Sequence, residues 1–168
     1  HRRIQRMSEP RPRGMGLIIS TILIGLLLDL IPLPNAIEAL RPPWTLLVLV
    51  YWSLAMPTRV GVGVAWIVGL VQDVLQGTLL GAHAIAFALA AYLTIQVYQR
   101  MRAVPIWQQA ITVLMLLLVV RLILLWVREL MGAGGLSWQF WMPAITGTIA
   151  WPLVFFVLRS LRRHYQVS

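Results

Sequence analysis

The chain contains no cysteine and no lysine, and only five acidic residues among 168. Without cysteine there is no disulfide, thiolate metal site or cysteine nucleophile. Charged residues make up 11% of the chain and hydrophobic ones 60%, against roughly 25% and 45–50% in soluble domains. This deficit of charge argues against a soluble domain and for an integral membrane protein. A helical span takes about 20 apolar residues, so the chain has room for about six spans and no separate soluble catalytic domain. We find no zinc-protease helix, serine elbow or P-loop. Gly61-Val62-Gly63 is no dinucleotide fingerprint, because it opens an apolar run without a preceding strand and lacks the third glycine.

What is present is arginine. All fourteen basic residues are Arg, and the formal net charge is +9. In a soluble chain such a balance points to nucleic acid. In a membrane chain, Arg on the cytoplasmic flanks sets orientation and meets anionic lipid, so no nucleic-acid partner is needed.

The apolar runs divide the sequence into a basic arm (1–14), a six-helix all-α membrane domain (15–158) and a basic tail (159–168). The expected spans are 15–31, 44–56, 60–76, 82–98, 106–131 and 138–158. The second is on length nearer a re-entrant or buried segment, but the arginine pattern requires it to cross. With the N-terminus inside, five Arg of the arm, Arg59, Arg100, Arg102, Arg159, Arg162 and Arg163 fall on inner flanks, eleven of the fourteen. Both termini are therefore expected in the cytoplasm. The sequence opens at His1, with Met7 and Met15 as candidate initiators, and its first residues read as an appended or trimmed start. The first apolar run meets Asp29, Pro32 and Pro34 instead of a small-residue cleavage site, so no cleaved signal peptide is expected. Pro143 and Pro152 predict kinks in the last span.

Four of the five acids gather toward the outer side. At about 1.5 Å per residue, Asp29 lies roughly 24 Å beyond Arg13 and Asp73 roughly 21 Å beyond Arg59. Arg121, roughly 24 Å along from Pro105 by the same rise, reaches a similar depth. Gly61, Ala65, Gly69, Asp73 and Gly77 recur every four residues, as do Thr21, Gly25 and Asp29. Each set shares one helix face. Small residues there allow close backbone approach, making these faces candidate helix-packing or partner interfaces. An acid on such a face is expensive in hydrocarbon and should face protein. Asp73 is then either a buried tether or a substrate, proton or partner site. Arg121 is the candidate counter-charge for Asp73 or Asp29, or else it snorkels toward headgroups. His83 has no acid or second His in its own segment and reads as a structural hydrogen-bonder, not a metal ligand. No metal and no cofactor are expected.

Leu54-Ala55-Met56-Pro57-Thr58-Arg59-Val60-Gly61-Val62-Gly63, followed by Gly69-Leu70-Val71-Gln72-Asp73-Val74-Leu75-Gln76-Gly77-Thr78-Leu79-Leu80-Gly81-Ala82-His83-Ala84, resembles the MreD family of bacterial rod shape-determining proteins. Arg41-Pro42-Pro43-Trp44 and Trp107-Gln108-Gln109-Ala110 fit as well. The likeness covers nearly everything after the basic arm and is greatest to proteobacterial members; Arg121 is not part of the pattern. The resemblance implies a non-enzymatic inner-membrane subunit of the elongasome. Its fold is expected to be similar to substrate-binding subunits of energy-coupling-factor transporters. The implied direct partner is MreC, with RodA, penicillin-binding protein 2 and MreB in the same complex. The implied action is to hold MreC at the bilayer and bias its conformation, altering peptidoglycan synthesis. The competing reading is a small-molecule-binding or transporter subunit, its outer acids binding an amine or lipid headgroup. A scaffold should show an apolar groove, a transporter an enclosed polar pocket converging on Asp73 and Asp29.

Overall fold

The computed structural model describes residues 15–32, 34, 40–57, 60–77, 79–132 and 140–164. Six helices lie among them: α1 (Met15–Leu30), α2 (Trp44–Ala55), α3 (Val62–Gln76), α4 (Ala82–Arg102), α5 (Ile106–Leu130) and α6 (Met142–His164). The basic arm and Arg59 fall outside the described residues, as do Glu38, Trp138 and residues 165–168.

Proline and glycine set the boundaries. Pro43 precedes α2 and Pro57 follows it; Pro105 stands immediately before α5. A proline ahead of a helix costs nothing there, because the first N–H groups have no partner within the helix. α3 ends at Gly77, whose φ of 67° is left-handed and whose N–H bonds to Asp73 O. Gly81, at φ 105°, then turns the chain into α4. Both positions need a residue without Cβ.

Three ends differ most from the sequence expectation. α6 starts at Met142 and continues to His164, not 138–158, so Arg159, Arg162 and Arg163 are helical. Arg is a good helix former, and Arg162 and Arg163 in the last turn complement the negative end of the helix dipole. Pro143 sits in the first turn of α6, where no kink is required, and the helix is unbroken through Pro152. α4 continues to Arg102 instead of stopping at 98, and Pro105 lies just beyond it.

The short α2 is the centre of the bundle. It packs against α1, α4 and α6, while α3 packs on α4, and α5 joins α4 to α6. Every residue from Thr45 to Ala55 is buried. Twelve residues rise only about 18 Å, well short of the roughly 30 Å hydrocarbon core. A helix this short suits a position enclosed by its neighbours. The outward faces are apolar: Leu27 on α1 is 63% exposed, Met115 on α5 61% and Ile149 on α6 73%. A surface of this kind is matched to lipid, not water. α5 and α6 are long and apolar enough to cross a membrane.

Candidate functional site: two carboxylates, two arginines and the cavity they border

The two buried acids do the same job twice. Neither α2 nor α4 is capped by the side chain of its own preceding residue, Pro43 and Gly81 respectively. The missing acceptor arrives from the preceding helix. Asp29, at the end of α1, accepts the N–H of Trp44 (3.1 Å), the N–H of Thr45 (3.2 Å) and the Thr45 hydroxyl (2.6 Å). Asp73, near the end of α3, accepts the N–H groups of Gly81 (2.9 Å), His83 (3.0 Å) and Ala84 (3.4 Å). These donors are the unpaired N–H groups of a helix start, where a negative group is favoured. Asp29 is 7% exposed and Asp73 fully buried.

A glycine four residues earlier makes each contact possible. A Cβ on Gly25 would lie 3.1 Å from Thr45 Cα; one on Gly69 would lie 2.6 Å from Ala84 N. Gly25 and Asp29 thus grip one residue, Thr45, while Gly69 and Asp73 grip Ala84. The two four-residue stripes are used within the chain, to bring α2 onto α1 and α4 onto α3. Ala65 is fully buried on the same stripe, whereas Gly61 and Gly77 lie at the two ends of α3. Thr21 accepts a hydrogen bond from the buried Trp52 indole (2.9 Å) and donates to Ile18 O.

The residues between the grips link them. Gln72 donates Nε2 to Asp29 (3.3 Å), and its neighbour Asp73 lies 2.8 Å from Nδ1 of His83. His83, for which its own segment offers no acid, therefore does have a carboxylate partner. The partner was hidden because it lies on the preceding helix.

Arg121 does not pair with either acid. Its Nε and Nη2 donate to Phe140 O at 2.9 and 2.7 Å, and its guanidinium lies 4.1 Å above the Phe140 ring. Similar depth along two helix axes did not bring the side chains together, because depth says nothing about which way each face turns. Arg128 stacks on the same ring at 5.3 Å. Arg41 donates to the backbone oxygens of Asp29 and Ile31, closing the end of α1 as a cation should. No local pattern marked Arg41, Thr45, Gln72 or Phe140 for these roles. Their partners lie 10 or more residues away, and only the segments that carry the resemblance, which contain Arg41 and Gln72, drew attention to any of them.

A polar cavity of about 260 Å³ opens among these groups, lined by Asp29, Arg41, Gln72, Gln76, His83 and Arg121 above an apolar floor. A second groove of about 210 Å³ is almost wholly apolar and runs between α1 and α6 over α2, past Ile24, Leu28, Val48, Leu153 and Val157. At the other end of the bundle, Arg100 is exposed at the end of α4, and Arg159 and Arg163 are exposed at the end of α6, with Arg162 half-buried. The Arg102 side chain falls outside the described residues. Among the described residues no three His, Asp or Glu side chains group to hold a metal ion.

The family model described as rod shape-determining protein MreD matches residues 13–161. A rod shape-determining protein MreD of Haemophilus influenzae is 32% identical over 146 residues, covering 87% of this chain and 90% of its own length. No solved structure matches the chain significantly.

Proposed function

The chain belongs to the MreD family of rod shape-determining proteins, membrane proteins with a role in cell shape, and on that premise we propose that it is a non-enzymatic elongasome subunit that binds MreC. In this reading it spans the bacterial inner membrane several times with both termini in the cytoplasm. It biases the conformation of MreC and so regulates the synthesis of lateral-wall peptidoglycan by RodA and penicillin-binding protein 2, within the complex that contains MreB. The six helices are proposed to follow the plan of energy-coupling-factor substrate-binding subunits. Arg59, Arg100, Arg102, Arg159, Arg162 and Arg163 hold the orientation and meet anionic lipid.

The observation that carries the partner reading is the apolar groove between α1 and α6. It offers the exposed apolar side chains of Ile24, Leu28, Leu153 and Val157 as a surface for one further helix. The face of α3 that carries Gly69 and Asp73 is a poorer choice, since α4 already occupies it. The absence of cysteine makes the test direct. A single cysteine at Leu28 or Val157 should crosslink to a cysteine in the MreC span when the two full-length proteins are co-expressed. One at Trp107, exposed on α5, should not. Failure of MreC to co-purify in mild detergent, together with equal crosslinking from all three positions, would refute the reading.

The competing small-molecule reading draws on the polar cavity, but not for an amine. An amine needs a carboxylate with unused lone pairs, and both carboxylates already accept several N–H donors.

A further inference from the structure

The groups in the polar cavity that lack a charge partner are its cations. Arg41 and Arg121 both line it, and among the described residues neither has a carboxylate within ion-pair distance. Their hydrogen bonds go to backbone carbonyls, which carry no net charge. The Nε of Arg41 is buried and has no hydrogen-bond partner among the described residues. A guanidinium withdrawn from water without an anion is costly. The negative charge of Asp29 is already offset by the start of α2 and by Gln72. The cavity therefore calls for an anion.

Its shape narrows the choice. Gln76, His83, Arg121 and Leu124 are shared with an adjoining groove of about 340 Å³. That groove continues over Leu79, Val127 and Met131, with Leu79 and Met131 exposed. A polar chamber with two guanidiniums thus joins an apolar channel that opens on the outer surface of the bundle. One guanidinium fork suffices for a planar carboxylate, whereas two cations on different elements suit the several oxygens of a phosphate.

We propose that this joined cavity binds a phosphate-bearing lipid, its phosphate between Arg41 and Arg121 and its acyl portion along Leu79, Val127 and Met131. The two glutamine amides supply further hydrogen-bonding groups at the phosphate end. Arg128, stacked with Arg121 on Phe140, adds positive charge where the two parts meet.

The test is native mass spectrometry of the full chain in mild detergent without MreC, so its outcome is independent of the partner reading. The probes are dioleoyl phosphatidylglycerol, dioleoylglycerol (the same chains without phosphate) and inorganic phosphate. The wild-type chain should retain phosphatidylglycerol and neither of the others. Arg121→Gln should weaken that binding about ten- to a hundredfold, the effect of losing one charge-assisted contact. Gln76→Trp, at an exposed residue shared by both cavities, should block entry with little effect on folding. Gly16→Ala, at the other end of the bundle and outside both cavities, should bind as the wild type does. Unchanged binding by both Arg121→Gln and Gln76→Trp would overturn the proposal. So would equal retention of dioleoylglycerol, which would leave only a greasy groove. Inorganic phosphate that binds as tightly as the lipid, or displaces it, would overturn the lipid assignment in favour of a free anion.

Discussion

A carboxylate that accepts two or three backbone N–H groups from a helix start has few lone pairs left for proton relay or cation binding, so Asp29 and Asp73 are best tested as fasteners. Asp73→Ala strands several buried donors and should destabilise the chain by about 2–4 kcal/mol, by analogy with lost caps and unmade hydrogen bonds. Asp73→Asn keeps an acceptor and should cost markedly less. Thermal unfolding in detergent measures both, and equal losses would contradict the capping role. The glycines follow the same geometry. Gly69→Ala should be more damaging than Gly25→Ala, because its Cβ would meet backbone at 2.6 Å instead of 3.1 Å. Gly16→Ala meets nothing within 4 Å and should be neutral or stabilise by up to about 1 kcal/mol. At this scale the sequence was half legible. The Gly-x-x-x-Asp spacing identified both faces, but the helix start that each acid reaches depends on how the following loop folds back. The acid partner of His83, read as a structural hydrogen-bonder, was missed and the pairing of Arg121 misplaced for one reason: partners were sought within a segment or at equal depth, while contact depends on the direction each face takes.

At the scale of elements, apolar runs and proline punctuation marked six helices and most of their ends to within a few residues. The ends that moved belong to α4 and α6, where helix-forming Arg and Gln continue a helix beyond its apolar stretch. Only the short length of the second run pointed to α2 as a buried element; its composition could not, because an apolar run reads the same against lipid as against protein. The consequence is measurable. A lipid-phase carbene probe should label the outer faces of α1, α5 and α6 heavily and α2 hardly at all; labelling of α2 equal to that of α1 would contradict its central place. Trp52→Phe should be costly for so slight a change. It removes the indole bond to Thr21 and should lower stability by about 1 kcal/mol.

For the molecule as a whole, the low charge content carried the most information. Its arginines argued for a membrane chain and against nucleic acid, and the proposed orientation is open to a simple check. Single cysteines introduced near Arg100 and near Arg163 should be shielded from an impermeant maleimide added to intact cells and react once the membrane is opened. A cysteine at Leu80 should react in both cases. Reversal of that pattern would invert the orientation. Which cavities form between the helices was not legible at all, since a cavity is a property of several elements packed together.

The paired grips also bear on how the chain enters the bilayer. An aspartate near the end of a nascent apolar helix resists insertion, with a penalty of about 2.5–3.5 kcal/mol for an acid at mid-membrane that lessens toward the interface. Here the backbone N–H donors that offset each acid come from the next helix to be synthesised: α2 for Asp29 and α4 for Asp73. Each acid finds its backbone donors on the adjacent helix, and Gln72 of α3 later adds one more donor to Asp29. Biogenesis can therefore proceed as two hairpins that close one after the other, each sheltering its own charge before α5 and α6 leave the ribosome.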